Sequence, residues 1–324
     1  MVKEIHPYTY KLLALSFLEG IGRFKLFSLI KSATNFDKSI EELSFILTKK
    51  ANSSIELIIQ KANQQVELNQ KYNGNIYSPF DDEYPSYLKE LDDSPIFLFC
   101  RGNTELLNTN NLAIIGTRNP TVHGEILNKK LTQWFTNQNW TIVSGLALGH
   151  DSIAHKECLR NNGKTLAVLA HGLDTVYPKS NTDLANSILE KGGLLVSEYP
   201  YLTALFKSNL VQRDRIQAGL AKGVVLVQSS TEGGSLYASN SILKYQRYLI
   251  VVNQSKSDIR NNEKNISANM NIIQKNSGEI EKMFGKNYDS KLILELNQLD
   301  DFKEIQNKLL DHTTNSNSYT LNLI

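Results

Sequence analysis

From residue 111 to residue 252 the chain repeats one rhythm. Short apolar runs stand at Leu112–Ile115, Thr141–Val143, Thr165–Leu169, Leu194–Val196, Val224–Val227 and Tyr248–Val252. Between them lie stretches of helix length: Gly124–Asn137, Ser152–Asn161, Asn181–Lys191, Val211–Ala221 and Ser235–Tyr245. The runs are apolar at consecutive positions, so each strand is buried on both faces. Strands of that kind alternating with helices build a parallel, doubly wound α/β sheet. In such a sheet every strand ends on the same side, and ligands collect there.

The rest of the chain reads differently. Residues 8–70 are helical, with apolar clusters at Leu12–Leu18, Phe24–Ile30 and Ile55–Ile59 and breaks at Gly20-Ile21-Gly22 and near Asn52-Ser53. The Gly-Ile-Gly break is either a plain turn between packed helices or a helix-hairpin-helix turn whose amides hold a backbone phosphate. Residues 76–100 carry six acidic residues, one lysine and three prolines. They read as an extended connector ending in a strand at Ile96–Phe99, and their acidity argues against a polyanion lying on that face. In the tail, Ile280, Met283, Phe284, Leu292, Leu294, Leu296 and Leu299 suggest one or two helices or a short strand. The residues from His312 on are polar and read as loose. The expected division is a helical domain over 1–75, the α/β domain over 76–285 and a short extension over 286–324 without a clear winged helix.

Composition excludes several classes. With 41% hydrophobic residues over 324 positions, the chain has material for a sizeable core. Two cysteines, Cys100 and Cys158, rule out a disulfide scaffold and a multi-cysteine zinc site. No run approaches a membrane span, and the N-terminus lacks a signal-type apolar core, so the expectation is a cytoplasmic protein. The net charge of +2 announces no nucleic-acid binder, so any basic surface is local. The local charge is consistent with one. Residues 201–250 hold Lys207, Arg213, Arg215, Lys222, Lys244 and Arg247 against Asp214 and Glu232.

The loops after the strands carry the candidate chemistry. Strand one is followed by Gly116-Thr117-Arg118-Asn119-Pro120 and strand two by Ser144-Gly145-Leu146-Ala147-Leu148-Gly149. Strand five is followed by Ser229-Ser230-Thr231-Glu232-Gly233-Gly234-Ser235. Glycine admits a close anion, and the following helix start offers free N–H groups. Any one such loop is equally well a tight strand-to-helix turn. Three on one edge suit a ligand with several phosphates in a row, and Arg118 is placed to fork onto one. Neither G-x-G-x-x-G nor a P-loop is present. Catalytic groupings are thin. His150 and His155 are five apart, about 140° round a helix, and do not share a face. Asp151 is expected to cap the helix start, with His155 tied back to it. No metal or cofactor is called for.

Four segments then carry a resemblance: IIGTRNPTVHGEI, TIVSGLALGHDSIAHKECL, GKTLAVLAHGLDTVYPKSNTDLANSI and GGLLVSEYP. Together they are similar to the DprA/Smf family of DNA-processing proteins, over about residues 8–285. The resemblance implies an extended Rossmann-like fold with an N-terminal SAM-like or helix-hairpin-helix domain. It also implies a homodimer that binds single-stranded DNA, protects it during natural transformation and helps load the RecA recombinase, with no established catalytic reaction. Carried over, the phosphate cradle is Gly116, Thr117, Arg118, Ser144, Gly145 and Ala147, with Lys179 beside it. Arg213 and Arg215 match the family's R-N-R arginines, and Gly234 and Ser235 its S-G-S-L turn. Tyr177, Tyr199 and Tyr201 are candidates for base stacking.

Three departures stand out. The central amide of R-N-R is Asp214, which repels a phosphate unless an arginine neutralises it. Gln228 replaces an acid and Gly233 a serine. The tail, with nine basic and ten acidic residues, offers no basic winged helix. Two other readings stay open: a nucleoside-monophosphate-cleaving enzyme of the Lonely Guy type, whose signature Thr231–Ser235 only partly echoes, and a nucleotide sensor of the same superfamily.

Overall fold

The computed structural model describes residues 3–32, 36–49 and 54–316. Its strands are β1 (Gly74–Tyr77), β2 (Leu98–Gly102), β3 (Asn111–Ile115), β4 (Thr141–Ser144), β5 (Thr165–Leu169), β6 (Leu194–Ser197), β7 (Gly223–Leu226), β8 (Tyr248–Val252) and β9 (Ile293–Leu296). They form one nine-stranded sheet in the order β1-β2-β6-β5-β4-β3-β7-β8-β9. The seven strands from β6 to β9 run parallel. The β1–β2 and β2–β6 pairs are antiparallel.

The helices in chain order are α1 (Pro7–Leu15), α2 (Arg23–Lys31), α3 (Ile40–Thr48), α4 (Ile55–Lys71), α5 (Ser86–Lys89), α6 (Val122–Asn137) and α7 (His150–Arg160). They continue with α8 (Thr182–Glu190), α9 (Lys207–Leu220), α10 (Leu236–Lys244), α11 (Lys256–Arg260), α12 (Ser267–Ile273), α13 (Ser277–Phe284) and α14 (Asp301–Ser316). Local chemistry starts several of them. Ser39 and Glu42 make a reciprocal capping box at α3, and Thr121 Oγ1 accepts from the Gly124 amide at α6. The turn before α2 relies on Gly20, whose φ of 72° suits glycine.

The pleat divides the core. Ala113 and Ile115 of β3 point to the layer holding α9 and α10, while Leu112 and Ile114 point to the layer of α6, α7 and α14. The N-terminal helices pack against the sheet. Leu12, Leu13 and Leu15 of α1 share a cluster with Ile76, Phe99, Ala167 and Leu195 of the sheet.

The six central strands and their helices lie where the apolar rhythm puts them. The connector at 76–100 is more structured than expected. It begins inside β1, and its terminal strand β2 sits two residues later than Ile96–Phe99. The four-residue run GNIY is too short to carry a period. The tail is also richer: α11, α12 and α13 precede β9, which extends the parallel sheet beside β8, and α14 packs on it. The break expected near Asn52-Ser53 lies outside the described residues. Of the polar stretch from His312, the part through Ser316 continues α14 and 317–324 lies outside the described residues. Among the described residues no helix is long and apolar enough to cross a membrane.

Candidate nucleic-acid interface

β3 is the first of the parallel strands, with β4 on one side and β7 on the other. The chain winds outward from it both ways, so the loops after β3 and β7 part and leave a crevice. That crevice is a cavity of about 310 Å³, lined among others by Gly116, Thr117, Arg118, Ala147, Asp151, Arg213, Asp214, Gly234 and Ser235. A narrower extension continues over Gly145 and Leu148 to Tyr177 and Pro178. Both parts share Arg118, Ala147, Leu210 and Arg213. The groove therefore runs over the ends of β7, β3, β4 and β5, which are neighbours in the sheet.

The walls are tightly built. A Cβ on Gly145 would lie 2.3 Å from Arg213 Nη1, and one on Gly149, whose φ is 73°, 2.4 Å from the Thr117 carbonyl. Asp151 folds the β4 loop back on itself: its Oδ2 accepts from the amides of Gly145 at 3.0 Å and Ala147 at 3.3 Å. Arg213 passes beneath that loop, donating through Nη1 to the carbonyls of Gly145 and Val168 and through Nε to Asp214 Oδ1 at 2.9 Å. Asn181 ties the start of α8 to the same loop through the Leu146 carbonyl at 2.7 Å.

These bonds decide which expected phosphate ligands are free. The amides of Gly145 and Ala147 are occupied by Asp151, and that of Thr117 by the Gln228 carbonyl at 2.8 Å. Ser144 is fully buried, its hydroxyl donating to the Ile114 carbonyl, so it binds two strands together rather than facing the groove. Arg215 leaves α9 on another side, forms a 2.6 Å ion pair with the half-buried Glu198, and does not line the groove. Residues two apart on a helix point about 200° apart, which separates Arg213 from Arg215. Lys179 is exposed, one residue past the Tyr177-Pro178 end. Arg118 is exposed, and its guanidinium has no partner among the described residues. At the start of α10 the amides of Gly234 and Ser235 donate to nothing among the described residues, and open space faces Gly234. Among the described residues, an unpaired cation and unbonded amides thus line one crevice.

Other expectations change. His155 does not pair with Asp151; its Nδ1 meets Thr165 Oγ1 at 2.7 Å on β5, because Asp151 is turned toward the loop. Burial pushes His155 down to about 3 and His150 to about 4, so both are neutral. Tyr201 is buried, stacked on Tyr72 at 5.4 Å, and Tyr199 is half-buried beside Glu198. Tyr177 alone of the three lies exposed in the groove, at 48%.

The departures have local causes. Gln228 accepts from the Thr121 amide and donates to Thr121 Oγ1 and Gln254 Oε1, a set that needs both halves of an amide. A Cβ on Gly233 would meet Ser229 Oγ at 2.2 Å. Asp214 is paired with Arg213 and accepts from Gln217 Nε2 at 2.8 Å, while burial pushes its carboxyl up to about 6. Two lining residues had no counterpart in the loop reading. Tyr237 is the second residue of α10, two past the Gly-Gly-Ser turn, and Gln217 lies one turn beyond Asp214. Among the described residues no group of three or more His, Cys, Asp or Glu could hold a metal.

The family model described as DNA recombination-mediator protein A matches residues 75–283. The chain belongs to that family. It is 36% identical over 202 residues to protein Smf of Synechocystis, covering 60% of this chain and 50% of the relative. To DNA processing protein DprA of Bacillus subtilis it is 37% identical over 177 residues, 54% of this chain and 59% of the relative. The chain spans about half the length of the curated relatives it matches. Among solved structures, DNA processing protein A of Streptococcus pneumoniae superposes with a TM-score of 0.66 at 27% identity, covering 87% of this chain and 99% of the other. DNA processing protein A of Helicobacter pylori, solved for its single-stranded DNA binding mode, gives 0.56 at 28% identity, covering 70% and 93%.

Proposed function

We propose that this chain binds single-stranded DNA along the groove over the ends of β7, β3, β4 and β5, without turnover. The observation that carries the reading is that, among the described residues, an Arg118 without a partner and the unbonded amides of Gly234 and Ser235 line one crevice. A strand laid there meets phosphate donors at the centre and an exposed ring, Tyr177, at one end. The single-stranded DNA binding described for the Helicobacter pylori protein supports it. On the same family grounds we assign the chain a cytoplasmic DNA-processing role in transformation. There it protects incoming DNA and assists RecA loading as a homodimer, with 76–285 as the binding unit, 1–75 as a helical domain and 286–324 as an extension. Within the groove the site is Gly116, Arg118, Arg213, Gly234 and Ser235, with Lys179 outside one end.

A labelled oligothymidine titrated at two salt concentrations tests this. Contact with several phosphates gives a steep salt dependence, about 0.7 per contact on a log–log scale. A shallow slope together with tight mononucleotide binding returns the crevice to a nucleotide sensor, and release of free base from a nucleoside monophosphate returns it to a Lonely Guy-type enzyme.

A further inference from the structure

The deep wall of the crevice has an unusual charge for an anion site. Arg213 pairs with Asp214 on its own helix and also acts electrostatically on Asp151 of α7, and both carboxylates line the cavity with it. With both ionised, one guanidinium faces two negative charges. Asp151 is committed to two loop amides and carries the β4 turn. Asp214 is committed through Oδ1 only, to Arg213 Nε and Gln217 Nε2; no hydrogen bond is made by Oδ2 among the described residues. The side chain keeps 14% of its surface. The other groups facing it across the cavity are Arg118 from the loop after β3 and Tyr237 from α10, while His171 lies beyond Arg213 at the end of β5.

Resting on the single-strand reading above, we propose that Asp214 couples strand binding to proton uptake: a phosphate settles beside Arg213 when Asp214 is protonated and is repelled when it is not. A neutral carboxyl both donates and accepts, as the side-chain amide of Asn does, whereas the carboxylate only accepts. Protonation therefore turns Asp214 from a group that opposes a phosphate oxygen into one that can donate to it. It also releases Arg213 from charge pairing within the wall. Burial makes the proton accessible near neutrality, since the carboxyl lies at about 6 in the free protein and a bound phosphate pushes it higher.

Linkage fixes the direction. Affinity rises as pH falls toward 6 and levels off below it, because the free protein is then already protonated. The measurement is fluorescence anisotropy of a labelled oligothymidine with the full chain from pH 8 to 5 at constant ionic strength. Calorimetry at pH 7 in two buffers of different ionisation enthalpy counts the protons. The parent is expected to gain on the order of tenfold in affinity between pH 8 and 6, with net proton uptake. Asp214→Asn should bind at pH 8 about as the parent does at pH 6, with that part of the profile flat. Asp214→Ser serves the same purpose should the amide variant fail to fold. Identical profiles in parent and variant, with equal proton uptake, overturn the coupling while leaving the DNA reading intact. No binding by parent or variant at any pH overturns both.

Discussion

The two rims of the parallel sheet each hold an arginine in a cleft, and they use it in opposite ways. At the strand starts, Arg247 is buried. Its Nη1 donates to the carbonyls of Gly219 and Ala221 and its Nη2 to that of Tyr87, with the Tyr87 ring 4.8 Å away. At the strand ends, Arg118 stands exposed with no partner among the described residues. The first guanidinium closes the C-terminal end of α9 and stitches it to the segment before β2. The second has nothing left to do inside the fold. A charge that a fold has consumed is a structural part; one that it leaves free is available to a ligand.

Breaking the buried side should cost most. Arg247→Ala leaves three backbone carbonyls short of a donor and should lose about 3–4 kcal/mol in denaturant unfolding. Arg215→Ala strands Glu198 and should lose about 2–3 kcal/mol, and the refolded variant should keep the parent's salt slope for oligothymidine. Either variant folding normally while binding DNA poorly would erase the distinction between spent and free arginines. Arg118→Ala should do the reverse. Stability stays within about 0.5 kcal/mol of the parent, affinity for all sequences falls about tenfold, and the log–log salt slope drops by about 0.7. The smallest effect sharpens the groove's own wall. Asp214 is raised in the fold to about 6, so the folded state holds a proton that the unfolded chain gives up. Its contribution is therefore greatest at low pH and is lost as pH rises from the unfolded carboxyl range through 6. Asp214→Asn should remove that loss and be more stable than the parent at pH 7.5 by about 1 kcal/mol, measured as a shift in urea midpoint.

Much of the candidate site's geometry was legible, and what spacing missed shares a cause. The loops after β3, β4 and β7 were located by glycine and hydroxyl spacing, and they do meet at one crevice. What spacing could not reveal was competition for the same amides. Gly145 and Ala147 look like anion donors until Asp151, six and four residues on, takes both. Arg213 and Arg215 look equivalent as a pair of charges, yet helical geometry sends one under the groove and the other to Glu198. Tyr201 looked as available as Tyr177, and packing on Tyr72 removed it.

The sequence by itself determined the strand rhythm, the rim that carries the candidate site and the family, because period and local turn chemistry act within a few residues of themselves. The tertiary structure alone decided that β1 and β9 extend the sheet, which cations are spent and which amides stay open. Those outcomes depend on partners distant along the chain, and a hydrogen bond made by one group is closed to every other.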